Sequence, residues 1–587
     1  MPEMLLDSGS EFDRAKAKLG RCLKSMTHVK RALTLDNLQS YRGRDFLAGW
    51  TTEIEHKEQL IKFDVLIDAQ FPYSPIRVAY KSQDVYLKWP HVEQEGVLCL
   101  PEAVASAGVE EAISAAITDA IDLVEQCGDQ DFIDKELRRE FLSYWNRSRH
   151  DDANRVCSLL VPTNHDTREI AVWYGENYIL VGETPEQVRS WLQYRGRTEF
   201  SEISPGVFGF LDQAPIPPFP KRPVALFSFL KEHCSSAYQK LLIHPIDCKV
   251  TVVLGAGSQS GNGLIAFRLS APNLNGFRKN EINAAKKIHL WDIRSQYQRL
   301  TVDRIDPAWI HGRGLNMQQS ILQSSTVLVL GCGSLGSQVA VRLAQAGVGA
   351  LVLVDPDILV SANVGRHALG IGSNGLAKST ELANELRLRF SHMCKVEGHH
   401  CSWQDLYAKK SQLFESADLI VACLGEWSAD GQLGEWQHRT QTSTTIVYGW
   451  LDEYGTAAHA LALAGALPAL SCVLNSYGDL RVPETLWASG GRVQSEPACG
   501  TLFQPYGPID VARAETLVSH LCVDVLTQKT TLPVHRIFAG STTQLTEAGG
   551  EWSPEHLKYR PPDYNGAFEY ERPVSVCGEC QACVVIG

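Results

Sequence analysis

The run STVLVLGCGSLGSQVAVRLAQAGVGALVLVD, residues 325–355, decides the fold of this chain. An apolar, β-branched stretch leads into glycines at 331, 333 and 336, spaced G-x-G-x-x-G; apolar residues then recur three and four apart until a second β-rich stretch closes on Asp355. Strand, Gly-rich turn, helix and strand in that order predict a parallel sheet covered by helices on both faces. The runs DLIVACLG (418–425) and TTIVYGW (444–450) fit further strands of the same sheet. Gly331, Gly333 and Gly336 let backbone amides and a helix amino end approach a phosphate chain, and Asp355 stands where an acid takes ribose hydroxyls. NAD and ATP are equally suited, and on the glycines alone an NAD-dependent oxidoreductase is the simple interpretation.

The residues that follow change it. DPDILVSANVGRH (355–367) brings Asp355, Asp357, Asn363 and Arg366 together, and Lys378 comes soon after. Two cations beside a phosphate loop suit triphosphate chemistry, where charge must be neutralised as pyrophosphate leaves; a dinucleotide needs no such cluster. Over roughly residues 300–540 the chain resembles the ThiF/MoeB/ubiquitin-activating adenylation family, whose run of G-x-G-x-L-G, D-x-D, N-x-x-R and Lys is matched by GCGSLG, DPD, NVGR and Lys378. The resemblance implies that Asp355 binds ribose and that Asn363, Arg366 and Lys378 hold ATP phosphates and the developing acyl-adenylate charge. Where the family carries a magnesium-binding Asp in D-C-T-D, this chain has ACLG, with Gly425 at that place and Glu426 beside it. Glu426 is either a magnesium ligand on a shifted loop or a solvated loop acid. Arg304 or Arg313 could be the family's arginine that reaches a neighbouring subunit's ATP, or an ordinary surface residue.

Two cysteines are candidate nucleophiles. Cys499, in EPACGTLFQPYGPID (496–510), sits in a Gly- and Pro-flanked loop ahead of a helical run, whereas Cys522 lies inside that run as a buried thiol would. The position of Cys499 resembles the loop cysteine that attacks the adenylate in ubiquitin-activating relatives; otherwise it is structural. FPYSP (71–75) followed by WPHVEQEGVLCLPE (89–102) resembles the ubiquitin-conjugating fold, with Cys99 at the active cysteine, Gly96 and Pro90 in register, Trp89 replacing the family's His and His91 at its Asn position. His91 either donates to the tetrahedral oxyanion or structures the loop. The tail VCGECQACVVIG supplies Cys577, Cys580 and Cys583 at zinc-finger-like spacing, with Cys472 as the candidate fourth ligand of a structural zinc; three exposed reduced thiols are the alternative.

Working outward, 587 residues predict about three or four domains. The fold class expected is multidomain α/β and α+β: a ubiquitin-conjugating-like domain over 1–150, a linker domain over 151–299, and a Rossmann-type adenylation domain with a Cys-rich tail over 300–587. In the first, residues 12–35 suit a helix, LIKFDVLID (60–68), RVAY (77–80) and VYLKW (85–89) suit strands of a small antiparallel sheet, and apolar spacing predicts helix from Val104 to Asn146. The second has β-rich runs, the loop APIPPFPKRP (214–223) and no chemical motif. A net charge of -12 without a Lys/Arg block excludes a large nucleic-acid groove, and no stretch of about 18 apolar residues predicts a membrane span. The N-terminus has no signal-peptide core, so cytoplasmic residence is expected, and the 16 cysteines are then buried hydrophobes, nucleophiles or metal ligands rather than disulfides.

The whole layout resembles the bacterial conjugating-activating fusion enzymes of CBASS anti-phage systems. That resemblance implies ATP and magnesium as cofactors, a homodimer, and a protein substrate with an exposed C-terminus, a cGAS-like nucleotidyltransferase. The acyl group would pass from Cys499 to Cys99 and then to a lysine of an acceptor protein. The rival from another class is a nucleotide-binding regulatory protein that uses its first domain only for docking.

Overall fold

A computed structural model of the chain describes residues 8–102, 108–148, 155–197, 201–259, 261–278, 282–312, 318–390, 392–393, 395–487, 494–495, 502–503, 506–580 and 582–583. They form two compact units: Met1–Val156, Pro162–Ile179 and Ser204–Asp303 in one, and Cys157–Val161, Leu180–Ile203 and Arg304–Gly587 in the other.

In the first unit, helix Ser8–Met26 precedes an antiparallel meander of His28–Ala32, Phe46–His56, Gln59–Asp68 and Arg77–Tyr80. Helix Val109–Gln126 buries Val109, Ala112, Ile113, Ala116, Ile117, Ala120 and Leu123, a stripe at helical spacing. Val109, Ala112, Ile113 and Ile117 share one apolar cluster with Ala15, Leu19 and Leu23 of the first helix and Val65 and Ile67 of the sheet. Each Val, Leu or Ile among them contributes about 1.5–3 kcal/mol on burial, which clamps both helices to one face of the meander. VYLKW is not a strand: the amides of Lys88 and Trp89 both donate to the Val85 carbonyl, and Leu87 has φ +59, so a turn takes the run that alternation assigned to the sheet. Helices Gln130–Arg139 and Phe141–Arg147 follow. The indole of Trp145 donates to the Leu300 carbonyl at 2.9 Å and meets Phe219 and Phe267 edge-on, so this helix is anchored on the strands after it. Those strands include Ser204–Leu211, Val250–Ser258, Gly261–Leu269 and Tyr297–Arg304, which take part in a closed seven-stranded barrel.

The second unit holds an eight-stranded sheet. Its centre is Thr326–Leu330, parallel to Ala350–Val354 on one side and to Leu419–Ala422 on the other; Lys395–His399 and Thr445–Leu451 extend these parallel pairs. The chain therefore reverses its direction of travel across the sheet beside Thr326–Leu330, and the strand carboxyl ends there open a crevice, the usual ligand position in such sheets. Beyond Thr445–Leu451 the sheet is not parallel: Ala457–Leu463, Val534–Ala539 and Phe568–Arg572 add antiparallel. The first reversal has only residues 452–456 to work with, turning at Tyr454 (φ +55) and Gly455 (φ +64), and a parallel return needs a crossover of a dozen or more residues. No helix among the described residues is long and apolar enough to cross a membrane.

Candidate functional site

The crevice is shaped by two glycines. A Cβ on Gly331, which has φ +85, would stand 2.4 Å from the Cys423 carbonyl oxygen, and one on Gly336 would stand 1.8 Å from the oxygen of Gly331. The loops after Thr326–Leu330 and Leu419–Ala422 thus pass in backbone contact, and helix Ser334–Ala346 starts from Gly333 without a side-chain cap. A Cβ on Gly333 would meet nothing within 4 Å, so the amide end of that helix faces open space. Asp355, 5% exposed, buckles the loop: one carboxylate oxygen accepts from the Cys332 amide at 2.6 Å and the other from the Asp357 amide at 2.8 Å. Each oxygen keeps a lone pair for a further donor.

Around this loop stand the other residues singled out in the sequence. Lys378 begins helix Lys378–Arg389 and is 7% exposed; its ammonium pairs with Asp357 at 2.9 Å. The Asn363 side chain accepts from the Val360 amide at 3.3 Å and so holds its own turn. Arg366 is half-buried, donates to the Tyr506 carbonyl at 3.2 Å and lies 4.9 Å from the centre of the Tyr506 ring. The Tyr506 hydroxyl in turn lies 3.3 Å from the Ser334 hydroxyl at the helix start.

Sequence reasoning missed Tyr506 and two further residues. His367 is buried; its Nε2 donates to the Cys332 carbonyl at 2.7 Å and its Nδ1 accepts from the Leu369 amide at 3.0 Å. That pair of bonds fixes the neutral Nε2–H tautomer, in keeping with burial that lowers its pKa, and ties the glycine loop to the segment carrying Arg366. Asp430 lies one turn into helix Trp427–Thr440, where burial and then the charge of Glu426 push its carboxyl up to about 7. Glu426 itself is exposed at the amino end of that helix and accepts from the Ser428 hydroxyl at 2.5 Å. The only sequence signal for Asp430 is its spacing of four from Glu426.

In the first unit, Cys99 is exposed while Val97 and Leu98 before it are buried. Its loop is a hairpin: the Cys99 amide donates to the His91 carbonyl at 2.7 Å and the Glu93 amide to the Val97 carbonyl at 2.7 Å. Gly96 (φ +82) admits no side chain, because a Cβ would fall 2.3 Å from the Tyr80 carbonyl. His91 has φ +56 and its amide donates to the Tyr144 hydroxyl oxygen at 3.0 Å. Its ring nitrogens lie 3.4 Å from Glu136 and 3.6 Å from Glu140, which places the ring against a helix.

Cys499 and Arg313 lie outside the described residues. Cys522 is fully buried and burial raises its pKa well above the ordinary thiol value. The Arg304 side chain is 7% exposed, donates to both oxygens of Asp306 at 2.7 and 2.8 Å, and lies 4.8 Å from the Trp309 ring. Cys472, Cys577, Cys580 and Cys583 come together with all sulfurs within 4.8 Å of one another. Four of the separations are 3.3, 3.5, 3.7 and 3.8 Å. Four thiolates about 2.3 Å from a central ion stand about 3.8 Å apart at the corners of a tetrahedron, so the donor set fits such an ion.

Residues 309–481 match the ThiF family and residues 25–153 match Prokaryotic E2 family B, so the chain carries a segment of each. It is 27% identical over 234 residues, 38% of its length and 40% of the relative's, to an ATP-dependent ubiquitin transferase-like protein Cap2 of Pseudomonas aeruginosa. To a Cap2 of Enterobacter hormaechei it is 30% identical over 105 residues, covering 18% of this chain and 17% of that one. With the adenylyltransferase and sulfurtransferase MOCS3 of Xenopus laevis it shares 36% identity over 103 residues, 17% and 22% of the two chains. The matched stretches thus span less than half of these relatives. Among solved structures, E. coli MccB covers 45% of this chain and 67% of its own at 17% identity and a TM-score of 0.32.

Proposed function

We propose that this chain adenylates the C-terminal carboxylate of a protein and conjugates it through a thioester on Cys99 to an amine. One observation carries the proposal: a phosphate loop flanked by Arg366 and Lys378 occurs in the same chain as an exposed thiol on a glycine-buckled hairpin. In the first step a carboxylate oxygen attacks the α-phosphorus of ATP and pyrophosphate leaves. Gly333 and the helix start behind it would receive the phosphates, Arg366 and Lys378 would balance their charge, and Asp355 would take the ribose through its free lone pairs. Glu426, an exposed oxygen donor at the crevice, would hold a magnesium ion, which when bound neutralises phosphate charge. A thiolate then displaces AMP from the acyl carbon, Cys99 receives the acyl group by thiol exchange, and an amine finally displaces the Cys99 thiolate to leave an amide. Cys499 is proposed as the first thiol. The cysteine quartet is proposed as a closed structural zinc site, 1–150, 151–299 and 300–587 as the conjugating, linking and activating parts, and a cGAS-like nucleotidyltransferase as the activated protein in a homodimeric anti-phage enzyme.

The test is mass spectrometry of the chain incubated with ATP and the proteins encoded beside it. Cys99→Ala should still load Cys499, Cys499→Ala should form adenylate but load neither thiol, and Cys99→Lys should trap an amide that resists reducing agent. If Cys499→Ala charges Cys99 at the wild-type rate, the relay is wrong; hydride transfer without pyrophosphate exchange would restore the oxidoreductase.

A further inference from the structure

Beside the Cys99 hairpin lies a pocket of about 320 Å³ lined by Arg42, Arg44, Tyr86, Glu93, Glu95 and Arg147, among others. That is room for about ten waters, or one polar side chain with some of its hydration. Glu93 belongs to the hairpin itself, paired with Val97 two residues before Cys99. At the strand rise of about 3.3 Å per residue, the pocket wall starts about 7–10 Å from the thiol.

The charges in this wall do not cancel. Three arginines face two glutamates, and Glu93 is already shared, one oxygen taking Arg44 and the other Arg147 at 3.4 Å. Arg77 adds a further cation nearby, paired to Glu102 at 3.1 Å. Burial, and next the repulsion of Arg77, lower the pKa of Arg44 against the opposing pull of Glu95, the direction expected where positive charge is in surplus. Cys99 is also among the groups that act electrostatically on Arg44, in the raising direction. The wall is built rather than loose, because the Tyr86 hydroxyl donates to the Arg147 carbonyl at 3.3 Å. Arg42 is exposed and its guanidinium points to no side-chain acceptor among the described residues.

A lysine arriving as an ammonium ion is repelled by such a surface and attacks a thioester only as the free amine. An acceptor that carries a carboxylate beside its lysine brings what the arginines lack, and guanidinium binds carboxylate with paired hydrogen bonds. The cationic surroundings then favour loss of the lysine's proton at the point of attack. We propose that this pocket selects the acceptor: it takes the side-chain carboxylate of an Asp or Glu lying two or three residues from the lysine that discharges Cys99. The proposal rests on Cys99 carrying the thioester.

The experiment uses the full chain, charged at Cys99 with ATP and its acyl protein and then chased with peptides that hold one lysine flanked at two positions by Glu, Gln or Arg. Discharge should be about tenfold faster onto the Glu peptide than onto the Gln peptide, and slowest onto the Arg peptide. Arg42→Glu should erase the preference to within about twofold while Cys99 still loads at the wild-type rate, and Arg44→Gln should weaken it in the same direction. Equal discharge onto all three peptides by the wild type overturns the proposal and leaves the thioester reading standing. Slower loading in Arg42→Glu with the preference intact overturns it too, since the pocket then serves the acyl donor. If no thioester forms on Cys99 in any mixture, both fall.

Discussion

Replacing Arg366 by alanine is the sharpest test of the nucleotide site, because the cost to the reaction and the cost to the fold separate. In the folded protein the guanidinium makes one bond to the Tyr506 carbonyl at 3.2 Å and lies over the Tyr506 ring at 4.9 Å. A half-buried bond and a cation–ring contact are each worth about 1 kcal/mol, so the variant should fold and melt only a few degrees lower. In the proposed reaction the same group would face departing pyrophosphate, and losing one such donor costs about 3–4 kcal/mol, a rate loss of about 10²–10³. Tyr506 gives an internal scale. Tyr506→Phe removes only a hydroxyl contact of 3.3 Å to Ser334, long for a hydroxyl pair, and should cost less than about threefold. Tyr506→Ala removes the ring that orients Arg366 and should cost about three- to tenfold, expressed in KM for ATP more than in kcat. The measurement is ATP–pyrophosphate exchange alongside thermal melts of each variant. Wild-type exchange by Arg366→Ala would refute the assignment, and a Tyr506→Phe loss as large as that of Arg366→Ala would show that the hydroxyl, not the cation, carries the effect.

Three further outcomes are expected of the folded protein. Gly336→Ala drives a Cβ to 1.8 Å from the Gly331 oxygen and should lower the melting temperature and abolish exchange together, whereas Gly333→Ala meets nothing within 4 Å and should melt like the wild type while binding ATP more weakly, read by calorimetry with and without ATP. Cys580→Ser, or a strong chelator, should lower the melting temperature more than it lowers exchange, since a four-thiolate site has no open position; metal analysis should find about one zinc per chain, and less than about a tenth would argue for free thiols. Burial and the neighbouring His311 hold the pKa of His392 down at about 3 against an ordinary 6.5, so the unfolded chain takes a proton that the folded chain refuses: stability is full above pH 6.5, is lost as pH falls, and should drop by about 2 kcal/mol by pH 5, a drop that denaturant titrations of His392→Gln should not show.

What could be read from the sequence here is what local backbone geometry demands. Gly331, Gly336 and Gly96 stand where a nearby backbone carbonyl leaves no room for a Cβ, and their spacing to Asp355, Lys378 and Cys99 is a property of the chain alone. VYLKW was misplaced for the matching reason: alternation of apolar residues says nothing of a turn that puts Leu87 at φ +59. The antiparallel edge of the second sheet was likewise hidden in loop lengths rather than in strand composition.

The unread part has a common character, which is the partner of each charge. Lys378 is expected from the sequence to meet phosphate, yet its ammonium is held by Asp357; His91 is expected either to face an oxyanion or to structure its loop, and its ring lies near Glu136 and Glu140, more than 40 residues on. Tyr506 reaches Arg366 and Ser334 across 140 and 172 residues. Such partners are fixed by packing, so no spacing rule finds them, and they alter the chemistry more than the legible residues do. In the proposed reaction a triphosphate entering the crevice would have to compete with Asp357 for Lys378 and with the Tyr506 carbonyl for Arg366. Asp357 is two-thirds exposed, at 66%, so that exchange costs little of its stability: water can solvate the released carboxylate while the phosphates take the buried cation.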